Sequence, residues 1–210
     1  AMSPGTLIEG CSGGGGRFDA GMLYYMPQTW TSDDTDAIER LKIQYATSIV
    51  YPVSAMGSHV SAVPNHQTGR VTPMRTRCDV ALSGNFGFEL DLSRLSEEDA
   101  ATARDAIALC RQIRGTVQQG EFTRLSSPFE SDITAWQFTS GSKAILCCFK
   151  ALTMPNAPLR RIRMRGLEPD AHYRTADGRV FSGGALMQLG YPVYELQHDF
   201  SSSIVIFEKV

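Results

Sequence analysis

Over the first 120 residues, short apolar runs alternate with longer runs of helical period. Such strand–helix units favour parallel strands with helices packed outside them, which limits the choice of fold. Asp34 or Thr35 is expected to cap the second helix. Strands are expected at 6–10, 28–32, 56–63 and 86–92, and helices at 21–26, from 34 or 35 to 49, 73–82 and 97–117. The apolar stripe of the last helix is expected at Ala101, Ile107, Leu109, Cys110 and Ile113.

After Gly120 the pattern changes to extended runs separated by Gly, Pro, Ser and Asp, which predicts a second, antiparallel β domain. Two tight hairpin turns are expected, at Ser140-Gly141 and at Asp177-Gly178. The extended runs are at 122–125, 133–139, 143–152, 159–167 and 203–209.

Four strand–helix units leave two architectures open. They could form a doubly wound sheet, or they could form half of a (β/α)8 barrel, which needs eight units. Half a barrel would leave two exposed parallel edges.

Composition excludes several classes of function. The net charge is -2 with a sequence pI near 6.1, so nucleic acid is not expected as a partner. Basic residues cluster only from Arg160 to Arg165, where they alternate with Ile162 and Met164 as on a strand with one solvated face. No basic amphipathic helix or long apolar run predicts contact with a membrane.

The cysteines predict a reducing compartment. Their number is odd, two are adjacent, and their spacing does not match a metal site, which favours reduced thiols in a cytoplasmic protein. No signal peptide is recognised. The five cysteines are Cys11, Cys78, Cys110, Cys147 and Cys148.

The glycine-rich run GCSGGGG follows the first expected strand and has three possible readings. A dinucleotide site requires a different first glycine interval, and no Gly-Lys-Ser/Thr follows for a P-loop. At the carboxyl end of a barrel strand, the same glycines would let backbone N–H groups reach a sugar hydroxyl, with Cys11 pointing into the same cavity. A merely flexible turn remains the third reading.

Asp33, Asp34 and Asp36 form a carboxylate cluster near a helix start. Capping and the helix dipole account for Asp34 and Asp36 better than for Asp33, which lies nearest the strand end beside Trp30. An indole can stack on the apolar face of a sugar, although Trp30 could equally belong to the core. A carboxyl group beside such a ring can act as a general acid in glycosidic-bond cleavage.

The four histidines are scattered and predict no metal site, and no motif of a covalent hydrolase is present. Only Asn65-His66, which follows an expected strand, could line a cleft. No metal and no cofactor are therefore expected.

Three stretches carry a family resemblance, together with DITAWQF and GRVFSGGALMQLG in the β domain. The chain resembles the C-terminal part of the bacterial α-galactosidases of glycoside hydrolase family thirty-six. The resemblance implies an α/β fold class, the C-terminal half of a (β/α)8 barrel at 1–119, followed by a small antiparallel β-sandwich domain at 120–210. The three stretches are LIEGCSGGGGRFDAGMLYYMPQTWTSDDTDAIERLKIQY, AMGSHVSAVPNHQTGRVTP and FGFELDLSRLS.

The resemblance also implies an activity and its residues. The family cleaves terminal α-galactosyl groups with retention, from substrates such as melibiose or raffinose. Asp33 would be the general acid/base, Cys11 and Gly13 would contact the galactose, and Trp30 would line the same pocket.

One part of the family's machinery is absent from the sequence. The nucleophile lies in a Lys-x-Asp motif, and none of Lys42, Lys143, Lys150 and Lys209 has Asp two residues on. The chain is therefore expected to be a fragment that is inactive alone, that needs the N-terminal half of the enzyme as a partner, and that forms a homo-oligomer through its open edges. Glu9 and Asp19 are poor substitutes for the nucleophile. Two alternatives remain: a non-catalytic sugar-binding or oligomerisation module, and a nucleotide-binding half-barrel.

Overall fold

The computed structural model describes residues 5–11, 13–14, 16 and 18–210, so the first four residues of the expected barrel segment lie outside the described part. Its first half alternates strands and helices, as predicted. The elements are β1 (Glu9–Gly10), α1 (Ala20–Tyr25), β2 (Gln28–Thr29), α2 (Ala37–Thr47), β3 (Gly57–Ser61), α3 (Met74–Ala81), β4 (Asn85–Glu89) and α4 (Glu97–Gln119).

The four strands run parallel, in chain order. β1 pairs with β2, a bridge joins Thr29 to Met56 at the start of β3, and β3 pairs with β4 over five residues. Because each return crosses over through a helix, all four carboxyl ends lie at one edge. The segments that follow the four strands, beginning at residues 11, 30, 62 and 90, therefore start at that edge.

Helix α2 begins later than predicted. Its N-cap is Asp36, which accepts hydrogen bonds from the backbone N–H groups of Ile38 and Glu39, so the expectation of a cap at Asp34 or Thr35 is wrong. The helix buries Ile38 and Leu41 in the core, whereas Ile49 lies beyond its end and is 62% exposed. Asp36 is favoured as the N-cap because its carboxylate also has partners on the loop after β3, described below.

Helix α4 is capped by Ser96, but its buried face differs from the predicted stripe. Ala101 and Ile107 are exposed, Leu109 and Cys110 lie at the margin, and only Ile113 is fully buried. Two small residues let α3 approach closely and thereby set which face turns inward. The buried face consists of Ala103, Ala106, Ile113, Thr116 and Val117.

The second half is built on an antiparallel sheet. Six strands pair in the order β10-β9-β12-β7-β6-β5, and β8 pairs separately with β11. The elements are β5 (Glu121–Ser126), β6 (Ile133–Ser140), β7 (Lys143–Lys150), β8 (Arg161–Ile162), β9 (His172–Thr175), β10 (Val180–Ser182), α5 (Gly183–Gln188), β11 (Tyr191–Pro192) and β12 (Ser201–Lys209).

Both predicted hairpin turns are present, with Gly141 at φ +57° and Gly178 at φ +85°. The long strand expected over 159–167 is wrong, because only Arg161–Ile162 pairs there. Its partner β11 contains Pro192, which has no backbone N–H and cannot extend the ladder.

The central strands are buried on both faces. Along β7, Ile145 and Cys147 face a core shared with α2 and α4, while Leu146 and Cys148 face a second core built from the chain after residue 160. Successive side chains of a strand point to opposite faces, so the adjacent cysteines lie in different cores. All five cysteines are free thiols.

No helix in the described ranges is both long and apolar enough to span a membrane.

Candidate active site

The glycine-rich loop and the carboxylate cluster meet at the carboxyl edge of the parallel strands. Cys11 directly follows β1, and Asp33 lies four residues after β2; both residues are exposed. The chain leaves the two strands together, because the Trp30 N–H donates to the Gly10 carbonyl at 2.8 Å. The structure therefore brings Cys11 and Asp33 to the same edge.

Gly14 ties the two loops together. A Cβ atom on Gly14 would lie 2.5 Å from the Asp33 backbone nitrogen and 3.0 Å from Ser32 Cα, and its φ of +75° also favours glycine. Gly13 has a φ of +63°, and no atom of the described residues lies within 4 Å of where its Cβ would be. The packing of Gly14, unlike the proposed role of Gly13, was not predicted, because a run of glycines does not reveal which member is packed.

The three carboxylates of the cluster have different surroundings. Asp36 caps α2, and Asp34 Oδ1 accepts from the Asp36 N–H at 3.0 Å. The Asp33 carboxylate makes no hydrogen bond or ion pair to any residue that the structure describes, and it is exposed. Asp33 is thus the member of the cluster whose carboxylate is available to a ligand.

Trp30 lies beneath this edge rather than on it. Its ring is 8% exposed, stacks on His59 with centroids 4.7 Å apart, and is covered by the Arg40 guanidinium at 4.5 Å. A freely exposed indole face, as expected for sugar stacking, is not what the structure shows. Trp30 instead joins β2 to β3 under the loop that carries Asp33.

Arg40 is a buried cation that lies below the site and was not predicted from the sequence. Its guanidinium donates to the Gly57 carbonyl at 2.7 Å and to the Ser32 carbonyl at 3.4 Å. Burial lowers its pKa to about 10, against the opposing charges of Asp34 and Glu89, so it stays cationic at neutral pH. The signal in the sequence is a charged residue on the apolar face of α2.

The loop after β3 braces the start of α2. Asn65 donates to Thr35 Oγ1 at 3.0 Å, Thr68 Oγ1 donates to Asp36 Oδ2 at 2.6 Å, and Arg70 forms an ion pair with Asp36. Burial acts to raise the pKa of Asp36, but the hydrogen bonds from Thr68, the helix N–H groups and Arg70 hold it below its ordinary value. Asn65 is 5% exposed, so it braces the loop rather than lining a cleft.

The other nearby carboxylates are already engaged. Asp19 caps α1 by accepting from the Met22 N–H at 2.9 Å, and Glu9 accepts from Gln28 Nε2 at 3.0 Å. Among the described residues, no group of three or more His, Cys, Asp or Glu side chains could hold a metal ion.

Comparison with known families identifies the chain. The Melibiase family model matches residues 1–120, and the model described as the glycosyl hydrolase family 36 C-terminal domain matches residues 133–207. The chain belongs to the melibiase family. This membership confirms the resemblance drawn from the glycine-rich and WTSDDTDA stretches.

Individual relatives support the assignment to the melibiase family. Alpha-galactosidase AgaA of Geobacillus stearothermophilus is 52% identical over 201 residues, covering 95% of this chain and 28% of AgaA. The bifunctional alpha-galactosidase/sucrose kinase AgaSK of Mediterraneibacter gnavus is 48% identical, covering 99% of this chain and 22% of AgaSK. The chain thus spans less than a third of either relative.

Solved structures confirm the predicted melibiase fold, part of a (β/α)8 barrel followed by a small antiparallel β domain. A crystal structure of an AgaA variant in complex with raffinose superposes with a TM-score of 0.94 at 50% identity, covering 97% of this chain and 29% of that one. A second AgaA variant was crystallised in complex with stachyose, with the same TM-score.

Proposed function

We propose that this chain is the part of a retaining, cofactor-free α-galactosidase that carries the general acid/base, Asp33. The observation that carries the proposal is the Asp33 carboxylate, which is exposed at the carboxyl edge and has no partner among the described residues, while Gly14 packs on the Asp33 backbone. Active sites of (β/α)8 barrels are built at this edge. Proteins of the same family are named α-galactosidases.

The chemistry assigns two successive steps to Asp33. As an acid it protonates the glycosidic oxygen of the leaving group, and as a base it then takes a proton from the water that releases galactose. The covalent intermediate between these steps requires a second carboxylate about 5 Å away. Glu9 and Asp19 are engaged elsewhere, so the nucleophile is expected from residues outside the 210 of this sequence.

Galactose binding is proposed at the glycine-rich loop. Cys11 is exposed beside β1, and Gly13 leaves open space in which a sugar hydroxyl can reach the backbone. Trp30 would contribute only its small exposed edge, mainly by fixing the position of the loop after β2. The proposed substrates are terminal α-galactosides such as melibiose and raffinose, in line with the AgaA complexes.

Azide rescue tests the role of Asp33. The experiment uses the chain combined with a separately produced N-terminal portion of AgaA, and the variant Asp33→Ala. Turnover of a galactoside with a poor leaving group should fall about 10²–10⁴-fold. Added azide, which needs no general base, should restore turnover of a dinitrophenyl galactoside and yield α-galactosyl azide.

Asp34→Asn is the matched control. An asparagine keeps the oxygen that accepts from the Asp36 N–H, so turnover should change little and azide should have no effect. If Asp33→Ala keeps full turnover, or if azide rescues Asp34→Asn instead, the assignment of Asp33 is wrong.

The alternative is a non-catalytic module that binds sugar or drives oligomerisation. The observation in its favour is that, among the described residues, β1 pairs on one side only, and Leu7, two residues before it, is 85% exposed. Galactose binding without turnover in the combined sample would favour this alternative over catalysis.

A further inference from the structure

Two adjoining pockets in the β domain lie outside the proposed catalytic edge. The first, of about 370 Å³, is bounded by β7 and by the segments 153–160 and 193–197. The second, of about 550 Å³, runs along residues 160–165 and the end of β5. Arg160 and Ile133 line both pockets, so the two adjoin and are together called the depression.

The charged residues that line the depression are all basic, although the chain as a whole is not basic. None of its lining residues is Asp or Glu, whereas the net charge of the chain is -2. The alternation predicted for this segment is confirmed, since Ile162 and Met164 are buried and the arginines exposed. The basic lining residues are Lys150 in the first pocket, Arg160 in both, and Arg161, Arg163 and Arg165 in the second.

Lys150 is the unusual member of this group. It is 4% exposed at the end of β7, and its ammonium donates to the Leu196 carbonyl at 3.0 Å. An ammonium has three donors, and burying a charge without a counter-charge is costly. In the described part of the chain no carboxylate lies within 4.0 Å of Lys150 Nζ, which leaves two donors for a ligand.

Two acidic residues next to the first pocket, Asp132 and Asp199, already have partners in the protein. Asp132 pairs with Arg160 at 3.1 Å through Oδ1, and Asp199 accepts from the Thr153 N–H at 2.6 Å. Asp132 Oδ2 is buried and has no partner among the described residues. Asp132 itself lines neither pocket, so this buried oxygen does not face the ligand space.

The walls of the first pocket are apolar. Met154, Leu159 and Tyr194 line it and are each at least 50% exposed, and the exposed Pro158 and the buried Val193 complete the apolar lining. Such walls suit a carbon skeleton better than a bare inorganic ion, and 370 Å³ is the size of a small-ligand pocket.

We propose that the first pocket binds a small organic anion, a phosphorylated or carboxylated molecule of sugar size, whose charged group is held by Lys150 and Arg160. The apolar wall around Tyr194 carries the rest of the ligand. The site is separate from the proposed galactoside site and stands or falls independently of it.

Titration calorimetry of the purified protein tests this proposal with four probes: glucose 6-phosphate, galacturonate, glucose and inorganic phosphate. At least one of the two organic anions should bind saturably, more weakly as salt is added. Glucose should not bind, and inorganic phosphate should bind at least about tenfold more weakly than the better organic anion. No binding by either organic anion, or equal binding by glucose or inorganic phosphate, would overturn the proposal.

Variants locate the site. Lys150→Met removes the charge and keeps an unbranched side chain, and Arg160→Gln changes a half-exposed residue. Each should weaken binding at least about tenfold, the usual loss for a hydrogen bond to a charged group. Arg174→Gln changes an exposed arginine that lines neither pocket and should leave binding unchanged. If Lys150→Met does not fold, Arg160→Gln decides, and unchanged binding in it sinks the proposal.

Discussion

Asp33, Asp34 and Asp36 lie within four positions, yet among the residues that the structure describes only the Asp33 carboxylate has no hydrogen-bond or ion-pair partner. Asp36 is fixed by four groups, the N–H groups of Ile38 and Glu39, the Thr68 hydroxyl and the Arg70 guanidinium, and Asp34 accepts from the Asp36 N–H. Position along the chain was enough to separate Asp33, since it lies closest to β2. The division between Asp34 and Asp36 depended on Thr68 and Arg70, whose approach no local pattern reveals.

Gly14→Ala should displace Asp33 without unfolding the protein. The added Cβ would lie 2.5 Å from the Asp33 backbone nitrogen, so the loop must shift. A displacement of about 1 Å at a catalytic group can cost about 10²-fold in turnover. Turnover of an α-galactoside by the combined chain and AgaA portion measures the effect.

Gly141→Ala is the control for backbone strain. It has a similar positive φ of +57° but nothing within 4 Å of its Cβ position, and it lies in the remote β6–β7 turn. It should lose comparable stability and keep its turnover. Equal turnover in both variants would mean that Gly14 does not position Asp33.

Cys11 should be the first thiol to react with iodoacetamide. Burial raises the pKa of the Cys78 and Cys147 thiols to about 12 and that of Cys148 well above its ordinary range, whereas Cys11 is exposed. Mass spectrometry should show one rapid addition, lost in Cys11→Ser and slowed by galactose. Labelling that galactose leaves unchanged would contradict the proposed contact of Cys11 with the sugar.

Helix α2 connects the site to the loop after β3 through its first turn. Asp36 accepts from two helix N–H groups, from Thr68 and from Arg70, so one carboxylate joins two elements. Asp36→Ala should therefore lower the free energy of unfolding by more than the loss of an ordinary N-cap, which lowers it by about 1–2 kcal/mol. Urea unfolding at pH 7 measures the loss.

Asp19→Ala is the matched cap variant, since Asp19 caps a helix with no buried residue and should cost about 1 kcal/mol or less. The pH adds a second check. The folded-state pKa of Asp36 is lowered, so its contribution is fully present above the ordinary value of 3.8 and is lost as the pH falls through the lower folded value. Two results would refute this role. One is an equal loss of unfolding free energy in Asp36→Ala and Asp19→Ala at pH 7. The other is a loss in Asp36→Ala that is as large well below pH 3 as at pH 7.

The elements themselves were predictable to different degrees. Long helices and paired strands such as α4 and β7 were found because their patterns persist over two or more turns or over eight residues. The buried face of α4 was predicted wrongly, because Ala103 and Ala106 are buried by contact with α3 and not because they are strongly hydrophobic. The elements β8 and β11 depend on each other across 29 residues, which local patterns do not encode.

The molecule as a whole exposes two parallel strand edges. In the described ranges, β1 and β4 each pair on one side only, and Leu7 and Leu92 are 85% and 58% exposed. Unpaired edges and exposed apolar surface favour association. Sedimentation velocity of the chain alone should therefore show concentration-dependent oligomers, or an apolar dye should bind. A monomer that binds no dye at any concentration would contradict the open-edge account.

The large-scale organisation was the most predictable part. The sequence pattern switches from alternating units to extended runs near residue 120, and this switch predicted the change from parallel to antiparallel strands. The domain limits 1–119 and 120–210 stay predictions. The basic pocket around Lys150 could not be foreseen, because it depends on residues from β7, the segment 153–160 and the segment 193–197 meeting in space.

The most direct test is the release of nitrophenol from a nitrophenyl α-galactoside by this chain, alone and mixed with an N-terminal portion of AgaA. We expect activity only in the mixture, and its loss in Asp33→Ala. Activity of the chain alone would contradict the claim that the nucleophile lies outside these residues and would redirect attention to Glu9 and Asp19. Full activity of Asp33→Ala in the mixture would contradict the central claim, that Asp33 is the general acid/base.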